Sequence, residues 1–314
     1  ILKATLAFTP VLLAIILLLG FRLSAQIVMP LVLLVTIIIA FVLWEVDSLV
    51  IIASTIQGLF ITLDILYIIL GAILLLSVLK YSGGLSSVQY HFTRINSDRR
   101  IQIIIIGWLF GSFLEGAAGF GTPAAIVAPL MVALGFPAKA SIVVGLMVQS
   151  TPVTFGAIGT PILIGVNNGL ADGILTTGDK AIFLQSITSQ ISIIHAIVGT
   201  FIPWFMIVMI IFFFGEKRDR KKSLTIAPFA IFSGLAFTVP YTLTAIFLGP
   251  EFPSLLGAMM GLFIVMLALK YKVLIPKDTW DFTEKQNWPS EWSGKIKVEL
   301  QPKTTKHLSV FKTF

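Results

Sequence analysis

The sequence predicts an all-α, polytopic membrane protein: apolar helices interrupted by one re-entrant hairpin and one broken helix. Three observations carry this reading. The 314 residues are 57% hydrophobic and only 12% charged, with a mean hydropathy of +0.98, whereas soluble domains hold about 45–50% apolar and about 25% charged residues. The apolar residues form long runs instead of alternating with polar ones, which argues against a β-barrel. Two of these runs are broken internally by Gly and Thr-Pro. The same arithmetic excludes a soluble globule and a disordered chain. Zero Cys removes disulfides, thiolate metal sites and Cys nucleophiles. With three His and no paired acids, neither a metal site nor a cofactor is expected.

A transmembrane helix needs roughly 20 mostly apolar residues. Ala4–Gly20 lacks a basic leader and a small-residue cleavage site, so it reads as a span and not as a signal peptide. Ile27–Trp44 is the second span. Ser48–Leu63 places apolar residues at 49, 52, 56, 59, 60 and 63, a helical stripe expected at the interface before a third span over roughly Phe60–Leu79. Ile101–Phe113 and Thr122–Leu134 each have about half a span's length and read as the two arms of a hairpin. Ala140–Gly165 reads as one broken crossing. Further spans are expected at roughly Gln190–Phe214, Leu224–Leu248 and Ser254–Lys270. Tyr271–Phe314 is polar, Lys-rich and dotted with Trp, and reads as a cytoplasmic loop or tail. The chain starts without Met and ends on Leu308–Phe314, which resembles the approach to another helix, so a fragment is expected. The organisation is therefore 1–100, scaffold helices; 101–180, binding core; 181–270, further helices; 271–314, inter-repeat loop or tail.

Charge placement selects the hairpin. With a re-entrant Ile101–Leu134, the loops at Arg22, Lys80–Arg100, Lys139 and Glu216–Lys222 share one face with everything after Leu269. That face holds 20 of the 22 Lys and Arg, leaving Lys3 and Lys180 opposite. The far loops hold Glu45, Asp47, Asp64, Asp172, Asp179 and Glu251. A full crossing in place of the hairpin would destroy this asymmetry, so the positive-inside rule favours the hairpin with the basic face cytoplasmic. The net charge of +7 is thereby assigned to membrane topology and not to nucleic acid. Irregular backbone at membrane depth is tolerated where protein or a water-filled cavity surrounds it, which implies a cavity at Glu115–Thr122.

The chemistry concentrates in Phe113–Ala125 and Gln149–Pro161. Gly116, Gly119 and Gly121 are expected to break a helix and admit close backbone approach. Thr122-Pro123 then reads as an N-cap and first-turn Pro. Thr151-Pro152 and Thr160-Pro161, flanking Gly156 and Gly159, repeat that grammar. Several helix starts, each a partial positive charge with free N–H donors, would converge on an anion. Ile101–Gly178 contains no Arg and one Lys, Lys139, so an anion there would be held by helix ends and hydroxyls, as in carriers with discontinuous helices. The plainer reading is that Gly and Thr-Pro only permit close helix packing. Glu115 is an acid inside a span and reads as a proton carrier or as a carboxyl capping the N–H groups around Gly116–Gly119. His195 shares a stripe with Gln185, Thr188, Ser189, Ser192 and Gly199. It faces either a cavity or, as is commoner, neighbouring helices. No phosphate loop, dinucleotide fingerprint or nucleophilic triad is legible.

At Phe110–Ala125, Leu134-Gly135-Phe136 and Thr151–Leu163, the sequence resembles the L-lactate permease family, proton-coupled importers of lactate, glycolate and related 2-hydroxy monocarboxylates. Outside Leu79–Gly165 the similarity is weaker but collinear, reaching Gly249–Pro253. One departure from the family pattern is Ser150-Thr151, preceded by Gln149, where relatives carry Asn-Thr. The resemblance implies one half of an inverted-repeat, elevator-like secondary transporter in the plasma membrane, working as a symporter and not as an enzyme. The implied substrate-facing residues are the hydroxyls of Thr122, Ser150, Thr151, Thr154 and Thr160 and the backbone at Gly116, Gly119, Gly121, Gly156 and Gly159, with Glu115 as the proton-coupling or structural carboxyl. The expected partners are a small carboxylate anion, a proton, the lipid bilayer and, as a homodimer, a second copy. A carrier of dicarboxylates or gluconate should need more cationic or amide groups than this core offers. A membrane-embedded enzyme would need a partner for Glu115, and a non-transporting sensor is the remaining alternative.

Overall fold

The structure, a computed structural model, describes residues 2–83, 96–170 and 177–293. Every regular element among these residues is helical. Contacts divide the chain into two units, Ile1–Tyr67 and Ile68–Phe314.

The first unit holds α1 (Leu2–Ile15), which runs on as a π-helical turn over Ile16–Gly20, then α2 (Ala25–Leu43) and the beginning of α3 (Ser48–Tyr81). α1 packs on α2. Asp47 Oδ1 accepts from the Leu49 amide at 2.7 Å and satisfies a donor at the start of α3. Leu19 and Leu49 are each 74% exposed, the all-round apolar surface that a bilayer requires and water would not tolerate. α3 is a single 34-residue helix, which corrects the division into an interfacial stripe and a separate span. Ser48–Tyr81 contains no Pro, and an isolated Gly58 costs only about 1 kcal/mol in a helix. Residues 84–95 of the loop Lys80–Arg100 lie outside the described residues, as do Asp172 and residues 294–314 of the C-terminal stretch.

The second unit is built around α4 (Arg99–Ala118). Its middle, Ile103–Phe110, is π-helical and entirely buried. Gly107 lets Val144 approach, and Gly261 lets Leu109 approach. Trp108 meets Phe237 edge-on with ring centroids 5.3 Å apart. α4 is thus wrapped by α6 (Ala138–Met147), α10 (Ala227–Leu248) and α11 (Pro253–Lys270). The half-length reading of Ile101–Phe113 is corrected here: α4 has 20 residues, about 30 Å of helix. α5 (Thr122–Ala133) folds back along it. The Arg99 guanidinium donates to the Leu134 carbonyl at 2.8 Å, so chain entry and exit lie at the same end and the segment is a hairpin. α6 returns beside α5. After a broken stretch, α7 covers residues 161–169, followed by α8 (Thr177–Gly199) and α9 (Ile202–Phe214). α8 starts well before Gln190, where the sequence reading began its span, because Asp179 in its first turn suits a helix start.

The basic residues gather at the root of the hairpin. Arg100 is fully buried and clamps Asp98 at 2.7 Å, the Lys222 carbonyl at 2.7 Å and the Asp278 carbonyl at 2.6 Å. Lys139 pairs with Glu291 at 3.4 Å. Residues 271–293 are accordingly no loose tail: Trp280 is 2% exposed, its carbonyl accepts from the Arg99 amide, and Phe282 packs edge-on against Phe136. The Trp and Phe residues of this stretch are the anchors of a strap across the basic end.

Candidate functional site

The two breaks meet. At the hairpin tip, Gly119 has φ +60° and ψ −153°, a region essentially reserved for Gly. Phe120 (φ 51°) and Gly121 (φ 77°) continue in left-handed conformations. In the second break Ala157 (φ 44°), Ile158 (φ 55°) and Gly159 (φ 75°) make another run of left-handed residues. Each run is followed at once by Thr-Pro and a right-handed helix, α5 and α7. The left-handed region costs a non-Gly residue roughly 1–2 kcal/mol, so Ala157 and Ile158 hold strain that their surroundings must impose. A Cβ on Gly119 would stand 2.8 Å from the Ala157 Cβ, which places the two turns in backbone contact. Phe120 and Ile158 are each about half exposed on their respective turns.

Glu115 sits in the last turns of α4, one turn before the tip, and is 1% exposed. Its carbonyl accepts from the Gly119 amide at 2.8 Å and ends the helix. Its carboxylate lies against Gly156, where a Cβ would be 2.9 Å from Oε1, and Oε2 has no hydrogen-bond partner among the described residues. The carboxyl therefore does not cap the backbone of the tip through that oxygen. Gly116 does not break the helix, which runs on to Ala118. Its missing side chain instead admits the start of α11, with the Leu255 nitrogen 2.7 Å from the Cβ position.

The Thr-Pro starts are only partly as expected. Pro stands in the first turn in all three cases, but none of the three Thr makes a side-chain cap. Gly121 occupies the N-cap of α5, displacing Thr122 into the helix, because only the left-handed residue reverses the chain there. Thr160 is already helical, and its hydroxyl donates back to the Ala157 carbonyl. Thr151 is buried, with its methyl seated where Gly199 leaves room. Ser150 is exposed, and Thr122 and Thr154 are half-buried. Gly159 touches the Pro250 carbonyl region of the α10–α11 loop.

Residues that the sequence reading missed support the second break. Tyr241 Oη lies 2.7 Å from His195 Nδ1 and donates to the Thr151 carbonyl at 3.2 Å. Ser254 Oγ donates to the Pro152 carbonyl at 2.7 Å. These bonds satisfy carbonyls freed by the break, as buried backbone requires. The polar stripe around His195 faces neighbouring helices: Gln185 donates to the Ala245 carbonyl at 3.0 Å, and Thr242 donates to the Ser192 carbonyl at 3.2 Å. No feature of the sequence pairs Tyr241 with His195, since they lie on separate helices.

These features define a class: a multi-pass helical membrane protein whose core pairs a re-entrant hairpin with a broken helix. The described residues contain helices long and apolar enough for six crossings, or up to seven if the bent pair over residues 138–166 is one span. Within that class, the chain belongs to the L-lactate permease family, whose sequence model matches residues 3–309. It is 33% identical over 224 residues to the L-lactate permease of Bacillus subtilis (strain 168), covering 71% of this chain and 36% of that protein. Against the L-lactate permease of Escherichia coli (strain K12) the identity is 33% over 219 residues, 69% of this chain and 36% of the relative. The glycolate permease of the same strain is 34% identical over 216 residues, 68% of this chain and 35% of the relative. The aligned region thus spans little more than a third of these relatives. No solved structure matches.

Proposed function

We propose that this chain supplies one half of a symporter that carries L-lactate or a related small 2-hydroxy monocarboxylate, such as glycolate, together with a proton across the plasma membrane. The observation that supports this most is the contact between two left-handed turns, each opening into a Thr-Pro helix start, in a segment without Arg and with its one Lys, Lys139, held at the basic end. A carboxylate there is bound by amide donors at helix starts and by hydroxyls, charge-assisted bonds of about 1.5–3 kcal/mol each. Thr122, Ser150 and Thr154, whose hydroxyls have no protein hydrogen bond among the described residues, are the proposed donors at the mouth. Thr151 and Thr160 shape its wall, and Gly119, Gly121, Gly156 and Gly159 bring backbone to the anion. Gly116 serves the same surface by seating α11. Glu115 is the proposed proton carrier, since it is a buried carboxyl beside the two turns and its Oε2 has no protein hydrogen bond among the described residues.

In this reading residues 101–180 form the binding core, 1–100 scaffold helices, 181–270 further membrane helices, and 271–314 a cytoplasmic inter-repeat loop or tail. The intact carrier is a homodimer with the basic end facing the cytoplasm. Uptake of radiolabelled lactate and glycolate by the full-length gene in a permease-null host tests the function. Proton-dependent accumulation of either is expected, and the absence of uptake of both overturns it. Cys placed at Asn96 and at Lys139 tests the sidedness: labelling of both from the cytoplasm is expected, and labelling from opposite faces refutes it.

A further inference from the structure

We propose that the basic end carries a binding site for the phosphate headgroup of an anionic phospholipid, distinct from the carboxylate site at the other end of α4. A cavity of about 810 Å³ opens between the α9–α10 connection and the strap. Arg218, Lys221 and Lys222 line it from the connection, Lys277 from the strap, and Leu274 and Pro228 supply apolar wall. The single carboxylate in the lining, Asp278, is already engaged by Arg100 at 3.3 Å and by the Thr225 hydroxyl at 3.1 Å. Arg218 pairs with Glu216 at 2.8 Å and Lys222 with Asp219 at 3.1 Å, outside the lining. Lys221 and Lys277 have no ion pair among the described residues. The cavity therefore holds a surplus of positive charge that the protein itself does not neutralise.

Its position selects the ligand. α10 begins at Ala227 and α11 ends at Lys270, and both are long and apolar enough to cross a membrane, so a cavity at their shared end lies at the level of lipid headgroups. Leu274 of the lining is 49% exposed, and Leu224, the chain neighbour of the lining residue Thr225, is 63% exposed, apolar surface along which acyl chains can descend. Basic pockets between helix ends on a basic face are the physical basis of anionic-lipid recognition. Two of the lining residues, Lys222 and Asp278, accept through their carbonyls from Arg100, which ties them to the hairpin root. A bound phosphodiester would bridge Lys221 on the connection to Lys277 on the strap and hold the strap onto the hairpin root.

The test uses the full-length protein purified in detergent, with native mass spectrometry and melting temperature as readouts. Phosphatidylglycerol, phosphatidylcholine and inorganic phosphate are added separately. The expected result is a stoichiometric phosphatidylglycerol adduct and a raised melting temperature, with neither from phosphatidylcholine. The double variant Lys221→Gln/Lys277→Gln should weaken the phosphatidylglycerol adduct about tenfold or more, while Lys285→Gln, exposed elsewhere on the strap, should leave it unchanged. Equal adduct strength in the double variant and the parent overturns the site. Stabilisation by inorganic phosphate matching that of phosphatidylglycerol overturns the lipid assignment in favour of a soluble phosphate.

Discussion

Gly116→Ala is the sharpest test of how α4 and α11 are joined. A methyl at that position would stand 2.7 Å from the Leu255 nitrogen and 2.9 Å from the Ser254 carbonyl carbon. Ordinary contact begins near 3.4 Å, so the deficit is 3.4 − 2.7 = 0.7 Å. Both opposing atoms are backbone, and no rotamer change relieves them. Overpacking of this kind costs about 1–3 kcal/mol. Shifting the start of α11 also draws Ser254 off the Pro152 carbonyl, now 2.7 Å away, at about 1 kcal/mol. Against this, Ala is favoured over Gly inside a helix by about 1 kcal/mol. The net expectation is a loss of about 2 kcal/mol, or about 4 °C or more in melting temperature. Gly58→Ala is the control: no atom lies within 4 Å of its Cβ position, so only the helix-propensity gain of about 1 kcal/mol should remain. Melting of both full-length variants in detergent decides the matter. If Gly116→Ala melts at or above the parent, as Gly58→Ala should, the close approach of α4 and α11 is wrong.

Further outcomes follow from the site and from the basic end. Thr122→Val and Thr154→Val should each weaken lactate binding about tenfold, or ~1.4 kcal/mol. Because Thr122 makes no cap bond, its variant should keep its melting temperature, and unchanged affinity in both would move the site elsewhere. Glu115→Gln should preserve exchange of substrate across the membrane while abolishing uphill uptake; retained uphill uptake removes Glu115 from coupling. At the basic end, burial pushes the Asp219 carboxyl up, but hydrogen bonds from Lys222 and the Glu216 amide with the Lys222 charge outweigh it and hold the carboxyl below its ordinary value of 3.8. A lowered carboxyl contributes stability that is present above that ordinary value and is lost as pH falls through the folded one. Amide-exchange protection factors in residues 216–222 should therefore be constant from about pH 7 to pH 5 and fall only below about pH 4, a fall that Asp219→Asn should abolish.

The sequence by itself determined the helical membrane class, because a bilayer rewards long apolar runs whatever they pack against. It also placed the hairpin: the Lys and Arg positions alone required Arg100 and Lys139 to share an end, and Arg99 does meet Leu134. Both breaks were legible from Gly119, Gly121 and the Thr-Pro pairs, since Gly and Pro act through local backbone geometry. Other features were decided only by tertiary contacts. Gly116 reads as a breaker in isolation, yet the helix continues, because its bare Cα face is where α11 arrives. Ala157 and Ile158 carry no signal for a left-handed turn. Packing of Gly119 against Ala157 and of Pro250 against the neighbouring Gly159 holds the turn in a conformation that the side chains of Ala157 and Ile158 resist. The bond from Tyr241 to the Thr151 carbonyl joins residues 90 apart, and the strap at Trp280 docks on Arg99 across about twice that separation along the chain. Such contacts depend on where whole helices come to rest, which local patterning does not encode.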